Sequence, residues 1–163
     1  MLRKLLISIA LILPMNAVLS QELSLPFPIP EGLKQLSGEE ILSMLSGKCI
    51  TATATSGETW DECFEEAAGI GTAAKVHGRV YGYSTFVQLA MYHQASDWRV
   101  EVDYLCYRFQ IHPIYGWVDS CRAIAIDSST NEIVAFDLKE ARERDWENGM
   151  WRARMADKWQ LFR

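Results

Sequence analysis

The chain has 163 residues, 49% of them hydrophobic and 23% charged, with a net charge of −5. One domain's length at this ordinary globular composition excludes disorder, coiled coil and collagen. Residues 1–20 hold Arg3 and Lys4 and no acid, so the remainder carries 14 basic against 21 acidic side chains, and a net negative surface disfavours nucleic acid as a partner and general binding to anionic membrane.

The first 20 residues read as an export signal. Arg3 and Lys4 form a positive n-region, Leu5 to Leu13 is an almost unbroken apolar run, and Pro14 and Asn16 precede a small-residue cleavage site predicted after Ser20. The apolar stretch is too short for a spanning helix, which needs about 20 residues, so no stable membrane span is expected after cleavage. The protein is therefore expected in the periplasm or secreted.

Residues 21–32 alternate Pro26, Pro28 and Pro30 with Leu25, Phe27 and Ile29, which predicts an extended proline-rich arm ahead of a single domain over 33–163. Ser37-Gly38-Glu39-Glu40 is a capping-box pattern, and Ile41, Leu42, Met44 and Leu45 follow at helical spacing, so a helix of about ten residues is expected to end at Gly47.

Beyond Gly47 the apolar period changes to two. Cys49 to Thr55 reads as a strand, Ser56-Gly57 as a turn, and a second run holds Trp60 and Phe64. The acidic residues Asp61, Glu62, Glu65 and Glu66 lack the regular spacing of a calcium loop and are expected to form a solvated face. Ala73 to Tyr83 places Val76, Gly78, Val80 and Gly82 on one face of a curved strand and His77, Arg79, Tyr81 and Tyr83 on the other. Phe86 to His93 suits a strand or a short helix. Between Trp98 and Phe109 the alternation slips, which predicts a tight turn or bulge at Asp103-Tyr104. Trp117 to Ile126 and Glu132 to Phe136 read as a hairpin around Asp127 to Asn131. Six to eight such strands make an antiparallel meander or a small barrel.

Residues 139–163 carry seven basic and five acidic side chains, whereas 21–138 carries seven basic and sixteen acidic. This tail is expected to dock on the acidic body, with Leu138 to Trp146 helix-compatible and Trp151, Met155, Trp159 and Phe162 available for packing.

Four cysteines in an exported chain read as disulfides. Three pairings are open, and spacing favours Cys49–Cys63 and Cys106–Cys121, each closing a loop of about 15 residues. Trp60 and Trp98 fall on the apolar sides of their strands and are expected to be structural core anchors, not a ligand platform. His77, His93 and His112 have no i, i+4 spacing for a metal, no serine lies in a nucleophile-elbow or S-x-x-K pattern, and Gly69-Ile70-Gly71 lacks the rest of a phosphate loop. No catalytic residue, metal or cofactor is assigned.

Trp60-Asp61-Glu62-Cys63-Phe64, Ala68-Gly69-Ile70-Gly71-Thr72, Trp98-Arg99-Val100, Leu105-Cys106 and Cys121 together resemble an uncharacterised bacterial family of short exported proteins, a domain of unknown function. The resemblance spans about Leu36 to Phe136 and implies a periplasmic β-rich domain with no activity attached. The expected fold is thus α+β: one N-terminal helix with a curved, disulfide-stapled antiparallel meander or small barrel. The expected function is non-enzymatic binding of a small ligand or an envelope protein, with an envelope hydrolase, or an inhibitor of one, as the alternative. A carboxylate of raised pKa in a concave pocket would favour the enzyme, and a flat aromatic patch the protein partner.

Overall fold

The structure, a computed structural model, describes residues 29–81, 97–112, 116–137 and 150–158, and within these the side chains of all but 79–81, 109–112 and 116–118. The export signal, most of the proline-rich arm, the segment Phe86 to His93, the helix-compatible stretch from Leu138, Trp159 and Phe162 lie outside the described residues.

A short strand β1 (Leu33–Gln35) leads into helix α1 (Gly38–Leu45). The capping box forms as its sequence requires: Ser37 Oγ accepts from the Glu40 amide at 3.3 Å, and the Glu40 carboxylate accepts from the Ser37 amide at 2.9 Å. The helix has eight residues, shorter than its pattern suggested, and its one apolar stripe buries Ile41 and Leu45. Gly38 opens it against a backbone: a Cβ there would fall 1.8 Å from the Val102 carbonyl oxygen, and the Gly38 amide donates to Asp103 Oδ1 at 2.7 Å.

Eight further strands follow: β2 (Cys49–Ala54), β3 (Thr59–Phe64), β4 (Ala74–Tyr81), β5 (Asp97–Glu101), β6 (Tyr104–His112), β7 (Gly116–Asp127), β8 (Ile133–Asp137) and β9 (Trp151–Ala156). Each pairs antiparallel with the next, and β9 returns to pair with β2 through Ala52↔Ala153, closing an eight-stranded up-and-down barrel. Among the described residues the fold is accordingly mostly β, with nine strands and one short helix. β1 lies beside the end of β7 on the same edge as β6, since Ala125 pairs with both Gln35 and Val134 while Ala123 pairs with both Tyr104 and Phe136. Closure leaves no long free edge, the usual liability of a sheet this size.

The slip expected at Asp103-Tyr104 is the two-residue turn Val102-Asp103 between β5 and β6, with Glu101 paired to Tyr104 and Val102 at a φ of 54°. The β7–β8 loop is organised by Asp127, whose carboxylate accepts from the Ser129 amide and hydroxyl, the Thr130 amide and the Arg152 guanidinium of β9. These donors, the Ser129 hydroxyl foremost, hold the Asp127 carboxyl far below the usual carboxylate range. Of the expected docking tail, Trp151–Ala156 forms a barrel strand. Trp151 is buried, whereas Met155, expected to pack, is exposed although it shares the alternation of Trp151 and Ala153, because it lies near the end of β9.

Strand register assigns the inner face. Ile50 and Ala52 of β2, Trp60 and Phe64 of β3, Trp98 and Val100 of β5, Leu105 and Tyr107 of β6, Ile124 of β7, Ile133 and Ala135 of β8, and Trp151 and Ala153 of β9 form one core. Ile41 and Leu45 join it, so α1 closes the end of the barrel at which the β5–β6 turn lies. The β2–β3 turn and the C-terminal end of β8 lie at the opposite end. Both disulfides, Cys49–Cys63 and Cys106–Cys121, join directly opposed residues of neighbouring strands on the outer face.

Candidate functional site

Period-two alternation along β3 puts Trp60, Glu62 and Phe64 on one face, so a carboxylate enters the barrel between two aromatic rings. The solvated acidic face expected for this stretch is therefore corrected at two positions. Glu62 is buried inside the barrel, and Asp61 is fully buried on the outer face, where Thr51 Oγ1 donates to it at 2.5 Å and Lys158 Nζ approaches to 3.6 Å. Two consecutive acids on a strand covered on both sides cannot both reach water. Glu65 and Glu66, beyond the strand, are exposed.

The Glu62 carboxylate accepts from the Tyr107 hydroxyl at 2.9 Å, a bond that crosses the interior from β3 to β6. Gly78 of β4 stands opposite Glu62 in the register, and its missing side chain leaves room for the carboxylate. Arg122, on the inner face of β7, places its guanidinium carbon 5.4 Å from the centre of the Tyr107 ring. Its Nη2 lies 3.9 Å from Asp137 Oδ2, and Asp137 also accepts from the Ser120 hydroxyl at 3.2 Å. The Arg122 and Asp137 side chains are 25% and 18% exposed, so the cluster runs from the buried Glu62–Tyr107 pair outward to solvent. Asp137 ends β8 at the far end from α1, which places that outlet there.

Burial raises the Glu62 pKa above its ordinary value, against the opposing pull of the Tyr107 hydrogen bond, the Arg122 charge and the Trp60 indole. Burial, then the nearby Glu62, pushes the Tyr107 phenol well above its ordinary value. Among the described residues the buried side-chain N and O atoms with no hydrogen-bond partner are Trp60 Nε1 and Arg122 Nε. Trp60 Nε1 is close enough to Glu62 to favour its charged form but does not reach hydrogen-bonding geometry. The two tryptophans named from the sequence thus differ. Trp98 is fully buried, stacks edge-on against Phe64 at 5.2 Å, and donates to the Glu65 carbonyl at 3.2 Å. Trp60 meets Trp151 edge-on at 6.0 Å and leaves its N–H unpaired.

The cysteines are paired with each other and Trp98 is packed in the core, and nothing in the sequence singled out Glu62, Tyr107 or Arg122 as a group. The available signal was the Trp60-x-Glu62-x-Phe64 alternation, a charge at the centre of an apolar strand face. His77 lies on the outer face, 2.9 Å from Glu65. The one close grouping of possible metal donors among the described residues is Glu101 with Cys106 and Cys121, whose sulfurs are already bonded to each other. Outside the barrel an open groove of about 480 Å³ follows β2 and β9 past Thr51, Thr53, Arg152 and Arg154. Its charges are committed to neighbours, Arg152 to Asp127 and Glu132 and Arg154 to Glu132. No described helix is long and apolar enough to cross a membrane. In comparisons with family models, curated proteins and solved structures, the chain finds no match in any of the three.

Proposed function

We propose that the protein is an exported, non-enzymatic binding module that holds a small ligand inside its barrel and receives it at the end away from α1. The observation that carries this reading is the Glu62–Tyr107–Arg122 cluster beside the apolar core cluster of the barrel interior. An eight-stranded barrel is just wide enough either to be filled by side chains or to hold one small ligand. Polar groups cost stability in such an interior and are explained by what they contact in the working state. Two outer disulfides fit a periplasmic or secreted location.

A protein partner has less support, since the exposed large hydrophobics among the described residues are Ile70, Val102 and Met155, with no aromatic patch. The hydrolase reading has one observation in its favour, the raised pKa of Glu62, the property of a general acid.

The test is a panel of small polar compounds of each charge class, read by thermal shift and by tryptophan emission. At least one class is expected to raise the melting temperature of the wild type and not of a Glu62→Gln, Arg122→Gln double variant. A panel without effect on the wild type overturns the reading. Turnover of any binder, abolished in Glu62→Gln, replaces it with the enzyme.

A further inference from the structure

Two buried donors on the inner face of the barrel lack an acceptor near Glu62. Tyr107 spends its hydroxyl on Glu62. Trp60 Nε1, on a side chain 7% exposed, has no acceptor, and Arg122 Nε, itself buried, has none either. Asp137 is the nearest described carboxylate to Arg122, but at 3.9 Å from Nη2 it is an ion-pair neighbour and beyond good hydrogen-bond distance. An unpaired buried donor is costly, and native interiors leave few of them. Two beside one carboxyl group call for a molecule that brings acceptors with it.

We infer that the ligand presents a carboxylate, its two oxygens taken by the Trp60 indole N–H and the Arg122 guanidinium. This rests on the reading of the barrel as a ligand-binding module and names the ligand's class. A guanidinium offers donors in a planar fork that matches two carboxylate oxygens, and the match to a single neutral carbonyl is poorer. The surrounding wall is aromatic, with Trp60 and Trp151 edge to face at 6.0 Å, so the rest of the ligand is small and apolar. An incoming anion would be repelled by an ionised Glu62. The groups facing that carboxyl are Trp60 on its own strand, Tyr107 on β6 and Arg122 on β7. Gly78 on β4 adds no charge, and Asp137 on β8 lies beyond Arg122. Burial already favours the protonated form of Glu62, and a bound anion strengthens that preference. Binding therefore takes up a proton wherever Glu62 is ionised in the free protein, and affinity falls as pH rises through the Glu62 titration.

The full mature chain, labelled with 15N at tryptophan, reads this directly. The Trp60 indole resonance is identified by its loss in Trp60→Phe, and the Trp98 indole, bonded to the Glu65 carbonyl, is the internal reference. Sodium acetate is titrated against acetamide and against sodium chloride of matched ionic strength, at about pH 5.5 and about pH 7.5, both above the ordinary carboxylate range so that acetate itself stays ionised. Acetate should move the Trp60 resonance to saturation, more tightly at the lower pH. Acetamide and chloride should leave it in place. Arg122→Lys, which keeps the charge without the fork, should weaken acetate by about tenfold, equivalent to about 1.4 kcal/mol. Acetamide as effective as acetate, or an Arg122→Lys variant as responsive as the wild type, overturns the carboxylate while leaving the binding module standing. An unmoved Trp60 resonance combined with a positive compound in the thermal panel overturns the carboxylate alone. An unmoved resonance and an inert panel overturn both.

Discussion

Glu62 and Tyr107 are separated by 45 residues and by two intervening strands, yet share a 2.9 Å hydrogen bond across the barrel interior. Burial disfavours the glutamate's charge, so this pair makes stability depend on pH. A carboxyl whose folded pKa lies above its unfolded value is protonated more fully when folded. The native state is then favoured below the unfolded pKa of about 4.5, and that advantage is lost as pH rises through the folded pKa. Each unit between the two is worth about 1.4 kcal/mol. Urea denaturation from about pH 4.5 to about pH 8 should show the wild type losing stability relative to Glu62→Gln, which keeps an acceptor for Tyr107 and carries no charge. Parallel profiles for the two proteins would show that Glu62 is not perturbed.

Removing the Tyr107 hydroxyl should strand the carboxyl it serves. Tyr107→Phe is expected to cost about 1–3 kcal/mol at neutral pH and less at low pH, where Glu62 is protonated. It should also raise the Glu62 pKa further, because the lost hydrogen bond favoured the charged form. In a double-mutant cycle with Glu62→Gln the two substitutions should be strongly non-additive. Simple additivity would mean that the bond contributes nothing.

The two interior tryptophans should behave differently when replaced. Trp98→Ala removes a fully buried ring and its Phe64 contact and should destabilise by about 3–5 kcal/mol. Trp60→Phe keeps a ring of similar shape and discards an N–H that no protein group accepts, so stability should change by no more than about 1.5 kcal/mol. Chemical denaturation of both variants decides this, and a Trp60→Phe loss as large as that of Trp98→Ala would show that its N–H is engaged within the protein.

Non-reducing peptide mapping should recover 49–63 and 106–121 peptides and no crossed species, since the register sets each pair directly opposite. The loops closed span 14 and 15 residues in sequence separation, for which the chain-entropy estimate is about 3 kcal/mol each. Replacing either pair with alanine should lower the denaturation midpoint by a corresponding amount without unfolding the barrel at room temperature.

Deleting residues 147–163 removes β9 and should open the barrel. The edges of β2 and β8 would lose their partner, and Trp60 would lose Trp151. Loss of the cooperative transition, at low and high salt alike, is the expected result, because backbone pairing and aromatic burial outweigh the exposed Arg154–Glu132 pair. An unchanged melt, or a loss abolished by salt, would contradict it.

What the sequence determined by itself was local. The α1 cap was legible because Ser37 and Glu40 are three residues apart and satisfy each other's amides. The Val102-Asp103 turn was legible because alternation must change phase where a hairpin reverses. The disulfides were legible because each pair closes a short hairpin or near-hairpin. Tertiary structure alone decided that the meander closes, through contacts such as Ala52 to Ala153 between strands about a hundred residues apart, for which no local preference exists. It also decided the site. Asp61 and Glu62 are chemically near-equivalent neighbours, and the Trp60-x-Glu62-x-Phe64 alternation marks Glu62 as the one on the apolar face, but that this face lines an enclosed interior is decided by closure. Tyr107 and Arg122 read as ordinary strand residues until the barrel curves β6 and β7 around to meet Glu62. Their partnership is a product of closure, because strands not adjacent in a sheet can touch side chain to side chain only when that sheet encloses an interior.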